Sequence, residues 1–242
     1  MQHINFGMAL IPALALALGG CAAEAQGSDG SSAAATRSFA FSDFTGVDLR
    51  GSDDVDVKIA PEFTVRAEGP QKVLDRLVIE RVGDTLRITR KRSPGWNWNG
   101  QSARIYITMP RIARATLSGS GEMRVGRAQG TSFAASVSGS GDMLIDALET
   151  RSATFSIAGS GDIAAVGRAD SLDINIAGSG DVSASELKAA RASVSIAGSG
   201  AVTALVNGPA AVAIMGSGDV DLGPDAICTT SKAGSGDVRC GK

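Results

Sequence analysis

Histidine, aromatic residues and long apolar runs are scarce in this chain of 242 residues. His3 is the single histidine, and it lies in a segment that we expect to be removed, so no Ser-His-Asp, Cys-His or histidine-based zinc site can be built. The formal net charge of −2 creates no field that would attract nucleic acid. Aromatic residues are 4% of the chain and there is no phosphate-binding loop. These scarcities argue against the common catalytic classes and against nucleic-acid partners, and they imply no cofactor.

The N-terminus has the pattern of a bacterial export signal. Residues 8–20 are apolar, but a run of this length is too short for a membrane span, which needs about 20 residues, and it suits a signal peptide. The following L-G-G-C, Leu18 to Cys21, resembles a lipobox, in which the cysteine is lipidated. We therefore expect a signal peptide over residues 1–20, and a lipidated Cys21 with a flexible tether over residues 21–38.

The segment leaves a second route open. The n-region M-Q-H-I-N-F has no Lys or Arg, and cleavage after A-E-A would leave Gln26 as the first residue of a soluble periplasmic protein. Ala22, rather than an Asp-like retention signal, follows Cys21, which favours the outer membrane over the inner membrane by resemblance. The predicted location is therefore an outer membrane lipoprotein that faces the periplasm or the cell surface, with the soluble periplasmic form as the alternative.

Glycine is abundant, with 31 residues, and much of it recurs in a Gly-Ser-Gly triplet. The first glycines of the triplets are separated by 20, 20, 19, 20, 18 and 18 residues, and they are Gly119, Gly139, Gly159, Gly178, Gly198, Gly216 and Gly234. An even period of this length is the signature of a stacked repeat. Apolar residues alternate with small polar residues on both sides of each triplet, as in Phe155, Ile157 and Ile163, which predicts strands on both flanks.

The predicted fold is all-β, a right-handed parallel β-helix, or solenoid, with about 18–20 residues in each coil. We expect the regular GSGD-repeat solenoid over residues 111–240. Residues 39–110 are expected to form a less regular N-terminal half of the same β-structure, in which Gly51 to Asp54 is a degenerate corner. Gly83-Asp84 marks a hairpin, and residues 73–77 a short helical turn.

The repeated phrase S-I-A-G-S-G-D-I and the block F-T-G-V-D-L-R-G-S-D-D-V-D-V resemble the "putative auto-transporter adhesin, head GIN domain" family. The resemblance covers about Phe39 to Cys240. It implies an exported bacterial protein, often a lipoprotein, with a β-helical fold. It brings no established catalytic residues to this chain.

An acidic residue follows most triplets, at Asp142, Asp162, Asp181, Asp219 and Asp237, while Glu122 and Ala201 interrupt the series. We call these positions the Asp column. Its carboxylates are interpreted as acceptors for backbone N–H groups at the corners. Two alternatives stay open: calcium held between neighbouring coils, with Asp142, Asp162 and Asp181 as weak candidates, and polysaccharide hydrolysis by clustered carboxylates.

The stretch R-K-R-S-P-G-W-N-W-N-G, residues 90–100, contains both tryptophans behind three cations. Its proline, glycines and asparagines predict a loop. In one interpretation its indoles fold back over the end of the solenoid. In the other it is a binding loop that presents indoles to sugars or lipid and cations to anionic groups. The candidate contact residues are Arg90, Lys91, Arg92, Trp96 and Trp98.

Two of the cysteines, Cys228 and Cys240, fall in the last coil. An exported location favours a disulfide between them, which would close that coil and contribute about 2–3 kcal/mol. A reactive pair is the lesser alternative, because the spacing is not C-x-x-C.

Together these patterns favour a non-enzymatic cell-envelope protein, held at the membrane by a lipid anchor, that binds a glycan or another envelope component. A structural envelope protein without a specific ligand and a polysaccharide-acting enzyme that uses the Asp column are the alternatives. Nothing in the sequence indicates an oligomeric state.

Overall fold

The computed structural model describes residues 34–91 and 101–241 and has about 72% strand and almost no helix. The first part of the chain contains β1 (Ala34–Phe39), β2 (Gly46–Gly51), β3 (Asp54–Ile59), β4 (Thr64–Pro70), α1 (Gln71–Leu74), β5 (Leu77–Val82), β6 (Thr85–Arg90) and β7 (Arg104–Met109). The β-structure thus begins at Ala34 rather than near Phe39, because β1 pairs antiparallel with β4. Residues 34–38, which were predicted to belong to the tether, are therefore part of the β-structure.

The first part of the chain does not stack its coils in chain order. Strand β2 lies between β6 and β8 (Arg114–Gly119), and β3 lies between β7 and β9 (Glu122–Val125), all of them in parallel. The coil formed by β2 and β3 is therefore enclosed by two coils that come later in the chain. Antiparallel pairing of β4 with β7 and of β5 with β6 completes this end.

Two local predictions for this region can be compared with the structure. The β5–β6 hairpin turns at Gly83-Asp84, as the alternating flanks predict, with Val82 opposite Thr85. The short helix lies two residues earlier than expected, at Gln71–Leu74. No helix among the described residues is long and apolar enough to span a membrane.

From β8 onward each coil lies on the one before it in parallel register. The remaining strands are β10 (Ala128–Gly139), β11 (Asp142–Gly159), β12 (Ile163–Gly178), β13 (Val182–Gly198), β14 (Ala201–Val206), β15 (Pro209–Gly216), β16 (Asp219–Asp221), β17 (Ile227–Gly234) and β18 (Val238–Arg239). The first glycines of all seven triplets pair with one another in sequence, and Gly51 pairs with Gly119 below them. The predicted parallel solenoid is confirmed, with about 6 turns, and the degenerate corner at Gly51 stacks as expected.

The core is a set of apolar columns that run along the solenoid. The residue two positions before each triplet is at most 3% exposed in six successive coils, at Leu117, Val137, Ile157, Ile176, Ile196 and Ile214. The residues between the columns, such as Ser156 and Ser195, point outward on the same strands. Strict alternation across stacked coils buries one face of every strand, which a single coil could not do alone.

Glycine is required at the corners because neighbouring coils are in backbone contact there. A Cβ built at Gly161 would lie well inside 3.0 Å of the carbonyl oxygen of Gly141 in the coil below. Gly159 has the same restriction toward Gly139 and also a φ of +132°, which disfavours side chains. The corner sequence is therefore fixed by packing.

The last coil differs from those before it. Thr230 is in register with Val212, and Lys232 is in register with Ile214, so two apolar columns end in polar residues. The Lys232 ammonium donates a hydrogen bond to the carbonyl oxygen of Gly236 at 2.6 Å. Polar and cationic residues on an edge strand discourage pairing with further strands. We call this coil the polar cap.

Candidate functional site

The Asp column links successive coils by hydrogen bonds from backbone to carboxylate. The Asp162 carboxylate accepts from the backbone N–H of Asp181 at 2.9 Å, and the Asp181 carboxylate accepts from that of Ala201 at 2.7 Å. The same bond recurs from Glu122 to Asp54, from Asp162 to Asp142, and from Asp237 to Asp219. The sequence predicted that each carboxylate would accept a hydrogen bond from a backbone N–H group in its own corner. In the structure, the donating N–H group belongs to the corner of the next coil.

Carboxylates in neighbouring coils are about 4.8 Å apart, and this arrangement explains how such a stack of like charges is tolerated. The column is exposed to water, which weakens the mutual repulsion, and a backbone donor engages one oxygen of four of its carboxylates, those of Asp142, Asp162, Asp181 and Asp219. Within residues 34–91 and 101–241, no group of three or more His, Cys, Asp or Glu side chains is placed to hold a metal ion. The geometry thus gives the column a role in joining coils.

Arg90 lies at the base of the tryptophan loop and does not project as a contact residue. Its Nε donates to Asp53 at 2.8 Å, a second guanidinium nitrogen bonds the other carboxylate oxygen, and the carbonyl of Gln101 accepts at 3.2 Å. Asp53 is fully buried and also accepts from the backbone N–H of Ala103 at 2.7 Å. Arg90 was predicted to be a contact residue of a binding loop; in the structure Asp53 and Gln101 engage its guanidinium, which joins the two ends of that segment.

Asp53 was missed as a key residue in the sequence, although one signal could have revealed it. It occupies the corner position that is Gly121 in the next coil, directly above it. A charged residue in a position otherwise held by glycine indicates a special partner. Lys91 is exposed, while Arg92, Trp96 and Trp98 lie outside the described residues.

A cleft of about 610 Å³ opens on the outer face of β1, β3, β4 and β7. The register of these strands places two rows of side chains along the cleft. The first row runs Ser38, Arg66, Tyr106 and Asp56, and the second runs Thr64, Thr108 and Lys58. Residues between these rows, such as Ile107, point into the core. Phe39 and Phe63 also line the cleft. We call it the aromatic cleft.

Neighbouring side chains hold the aromatic rings of the cleft in place. The Arg66 guanidinium lies over the ring of Tyr106, 4.7 Å from its centroid, and forms an ion pair with Glu68. The ring of Phe63 lies 4.9 Å from that of Phe44, which is buried. These contacts fix ring orientation before any ligand arrives, which reduces the entropy cost of binding.

Hydroxyl and charged groups complete the lining. The side chains of Thr64 and Thr108 are hydrogen-bonded at 2.7 Å, and Thr108 also donates to the carbonyl of Glu62 at 2.9 Å. Lys58 is exposed and forms no ion pair within the described part of the chain. Asp56 is half-buried beside Tyr106. The cleft thus combines ring faces, hydroxyls, one carboxylate and the two cations Arg66 and Lys58.

Some of the charged groups on the solenoid wall form ion pairs with each other. Hydrogen bonds from Gln129 and Arg168 lower the pKa of Glu149, with the charges of Arg168 and Arg127 adding to the effect. A hydrogen bond to Asp146 raises the pKa of Arg124. Exposed pairs of this kind contribute little to stability.

At the other end, Cys228 and Cys240 are joined by a disulfide with their Cα atoms 6.2 Å apart. The bond spans the polar cap from β17 to the residue after β18. The disulfide thus connects the two arms of the last coil, between the cysteines for which the sequence predicted it.

The comparisons with known proteins agree with this architecture. The model of the "putative auto-transporter adhesin, head GIN domain" family matches residues 43–225. Solved structures with the same fold include a "putative adhesin" from Bacteroides fragilis, with 19% identity, 86% of this chain and 96% of that chain covered, and a TM-score of 0.77. A "putative adhesin" from Parabacteroides merdae has 16% identity, coverage of 86% and 96%, and a TM-score of 0.69.

A "putative lipid binding protein" from Parabacteroides distasonis has 21% identity, coverage of 86% and 97%, and a TM-score of 0.63. No curated protein matches this chain. Identities this low establish a shared fold, whereas the family model spans most of the chain and its corner repeats. The chain therefore belongs to the "putative auto-transporter adhesin, head GIN domain" family.

Proposed function

We propose that this protein is a non-enzymatic adhesin-like component of the bacterial cell envelope that binds a glycan. The observation that carries the proposal is the aromatic cleft, in which rings, hydroxyls and charges converge on one outer surface. Its volume of about 610 Å³ lies within the usual range of ligand sites, about 300–1,000 Å³. Sugars have an apolar C–H face and a rim of hydroxyls, so they match a lining of this composition.

The two alternatives have weaker support. Hydrolysis by the Asp column would require carboxylates free to exchange protons with a substrate, but an oxygen of Asp162, like one of Asp181, is occupied by a backbone donor. A purely structural role accounts for Phe39 and Phe63, which pack against the core, but it does not account for the hydroxyls and charges that line the same cleft. Rings beside Lys58, which forms no ion pair among the described residues, favour recognition.

The location remains a proposal as well. Lipidation of Cys21 would hold the protein at the outer membrane, and the tether before Ala34 would let the solenoid stand away from the bilayer. Mass spectrometry of the mature N-terminus tests this directly: a diacylated cysteine is expected at residue 21. A free Gln26 terminus would contradict the anchor and support the soluble periplasmic form.

A glycan screen of the purified mature protein tests the function. We expect binding to at least one class of envelope oligosaccharide, and loss of that binding when Tyr106 is replaced by alanine. The double variant Trp96→Ala with Trp98→Ala asks whether the tryptophan loop is also a contact surface. Retention of all binding in the Tyr106 variant would remove the cleft from the proposal, and a protein that binds no glycan would contradict the function itself.

A further inference from the structure

The aromatic cleft carries a charge pattern that narrows its ligand. We propose that it binds an acidic sugar, with the sugar ring against Tyr106 on its β3 side, away from the Arg66 guanidinium, and its carboxylate at Lys58; this inference rests on the proposed glycan-binding function. Lys58 and Tyr106 are on neighbouring strands, β3 and β7, and the register places them two residues apart diagonally. Paired strands are about 4.8 Å apart and two residues span about 6.6 Å along a strand, so these Cα atoms lie about 8 Å apart, which is close to the span of one pyranose with its carboxylate.

The two cations of the cleft have different roles. Arg66 is already committed, with its guanidinium over the Tyr106 ring and paired with Glu68. Lys58 has no ion pair among the residues that the structure describes. A single available ammonium matches a carboxylate of charge −1, whereas a phosphate group is usually held by several donors.

The carboxylate of Asp56 adds a requirement on the ligand. It lies two residues before Lys58 on the same face of β3, about 6.6 Å away along the strand. A carboxylate in this position accepts hydrogen bonds from hydroxyl groups and repels a second anionic group. The ligand should therefore present its hydroxyls at Asp56 and its charge at Lys58, which defines one direction along the cleft.

The hydroxyl lining argues against an acyl chain as the occupant. Ser38, Thr64 and Thr108 line the same wall as the rings. Thr64 and Thr108 are already hydrogen-bonded, but an acyl chain would remove Ser38 and the charged groups of Asp56 and Lys58 from water without offering a hydrogen bond in return, and each such loss is costly. A sugar both covers the rings and replaces the water at the hydroxyls.

The test compares a charged ligand with its neutral counterpart. Tetragalacturonate and its fully methyl-esterified form differ only at the carboxyl groups, which are anionic in the first and neutral methyl esters in the second, and both are titrated calorimetrically against the purified mature protein. We expect tetragalacturonate to bind about tenfold more tightly than the ester. Lys58→Gln should weaken tetragalacturonate binding by about fivefold to tenfold and leave ester binding unchanged.

Matched variants separate recognition from folding. Tyr106→Phe should retain most binding, while Tyr106→Ala should lose about tenfold for both ligands, with an unchanged melting temperature. Lys188→Gln removes an exposed lysine of β13, far from the cleft, and should have no effect. Equal affinity for acid and ester, or no binding of either, would overturn the acidic-sugar assignment. The glycan screen tests the proposed function separately. Binding of a neutral glycan that is lost on replacement of Tyr106 would support the glycan-binding function but not the acidic-sugar assignment.

Discussion

A methyl group added at Gly159 should be among the most damaging single changes in the solenoid. Two costs combine at this position. The φ of +132° disfavours any side chain, and the new Cβ would collide with the backbone of Gly139 in the preceding coil. Backbone strain of this kind costs about 1–3 kcal/mol. Overpacking against a rigid neighbour costs about another 1–3 kcal/mol, so we expect Gly159→Ala to lower the free energy of unfolding by about 2–6 kcal/mol.

The chain provides variants that isolate each cost. Gly130 has a φ of +142° but no atom within 4 Å of an added Cβ, so Gly130→Ala should show only the strain, about 1–3 kcal/mol. Gly161 lacks the unfavourable φ but would collide with Gly141, so Gly161→Ala should show only the overpacking, about 1–3 kcal/mol.

Guanidinium chloride unfolding, followed by circular dichroism, measures all three variants against the parent protein. The loss in Gly159→Ala should approach the sum of the other two. If Gly159→Ala were no more destabilised than Gly130→Ala, the backbones of stacked corners would not be in contact, and the packing account of the repeat would be refuted.

Three further changes test contacts that hold parts of the fold together. Asp162→Ala removes the acceptor for the corner N–H group of the next coil and should lower the free energy of unfolding by about 1 kcal/mol in the same assay. Ser160→Ala, in the same corner, should lower it by less than about 0.5 kcal/mol, and equal losses in the two variants would show that this hydrogen bond does not stabilise the stack. Asp53→Ala leaves a partly buried guanidinium without its partner and should cost about 3 kcal/mol, and a loss below about 0.5 kcal/mol would mean that the loop base does not depend on this pair. Reduction of the bond between Cys228 and Cys240 should lower stability by about 2–3 kcal/mol, and two thiols titrating in the unfolded, unreduced protein would rule the disulfide out.

The repeat region could be derived from the sequence because every local signal agreed. The triplet period, the alternation around Ile157 and the glycine corners all specify one parallel stack, and each coil repeats the same information. The polar cap could be located by its cysteines, although the exchange of apolar for polar residues at Thr230 and Lys232 becomes visible only in register.

The N-terminal end could not be derived in the same way. Its coils are stacked out of chain order, so Asp53 meets Arg90 across 37 positions of sequence. The aromatic cleft takes side chains from four separate strands, and its rings at Phe39, Phe63 and Tyr106 have no common period. Long-range pairing of non-repeated segments leaves no local pattern to detect, which explains why the sequence drew attention to the tryptophan loop instead.

The polar cap also bears on how this protein can change its length. Thr230 and Lys232 end two columns that would otherwise present Val212 and Ile214 to any approaching strand. A chain that ended before β17 would leave the edge of β15 open to pairing with another strand. Duplication of an interior repeat such as β12 would leave the strands at both ends of the solenoid unchanged. Each duplicated coil would move the two ends about 4.8 Å further apart. The number of repeats can thus adjust the distance between the aromatic cleft and the opposite end in small steps, without a new kind of contact between coils.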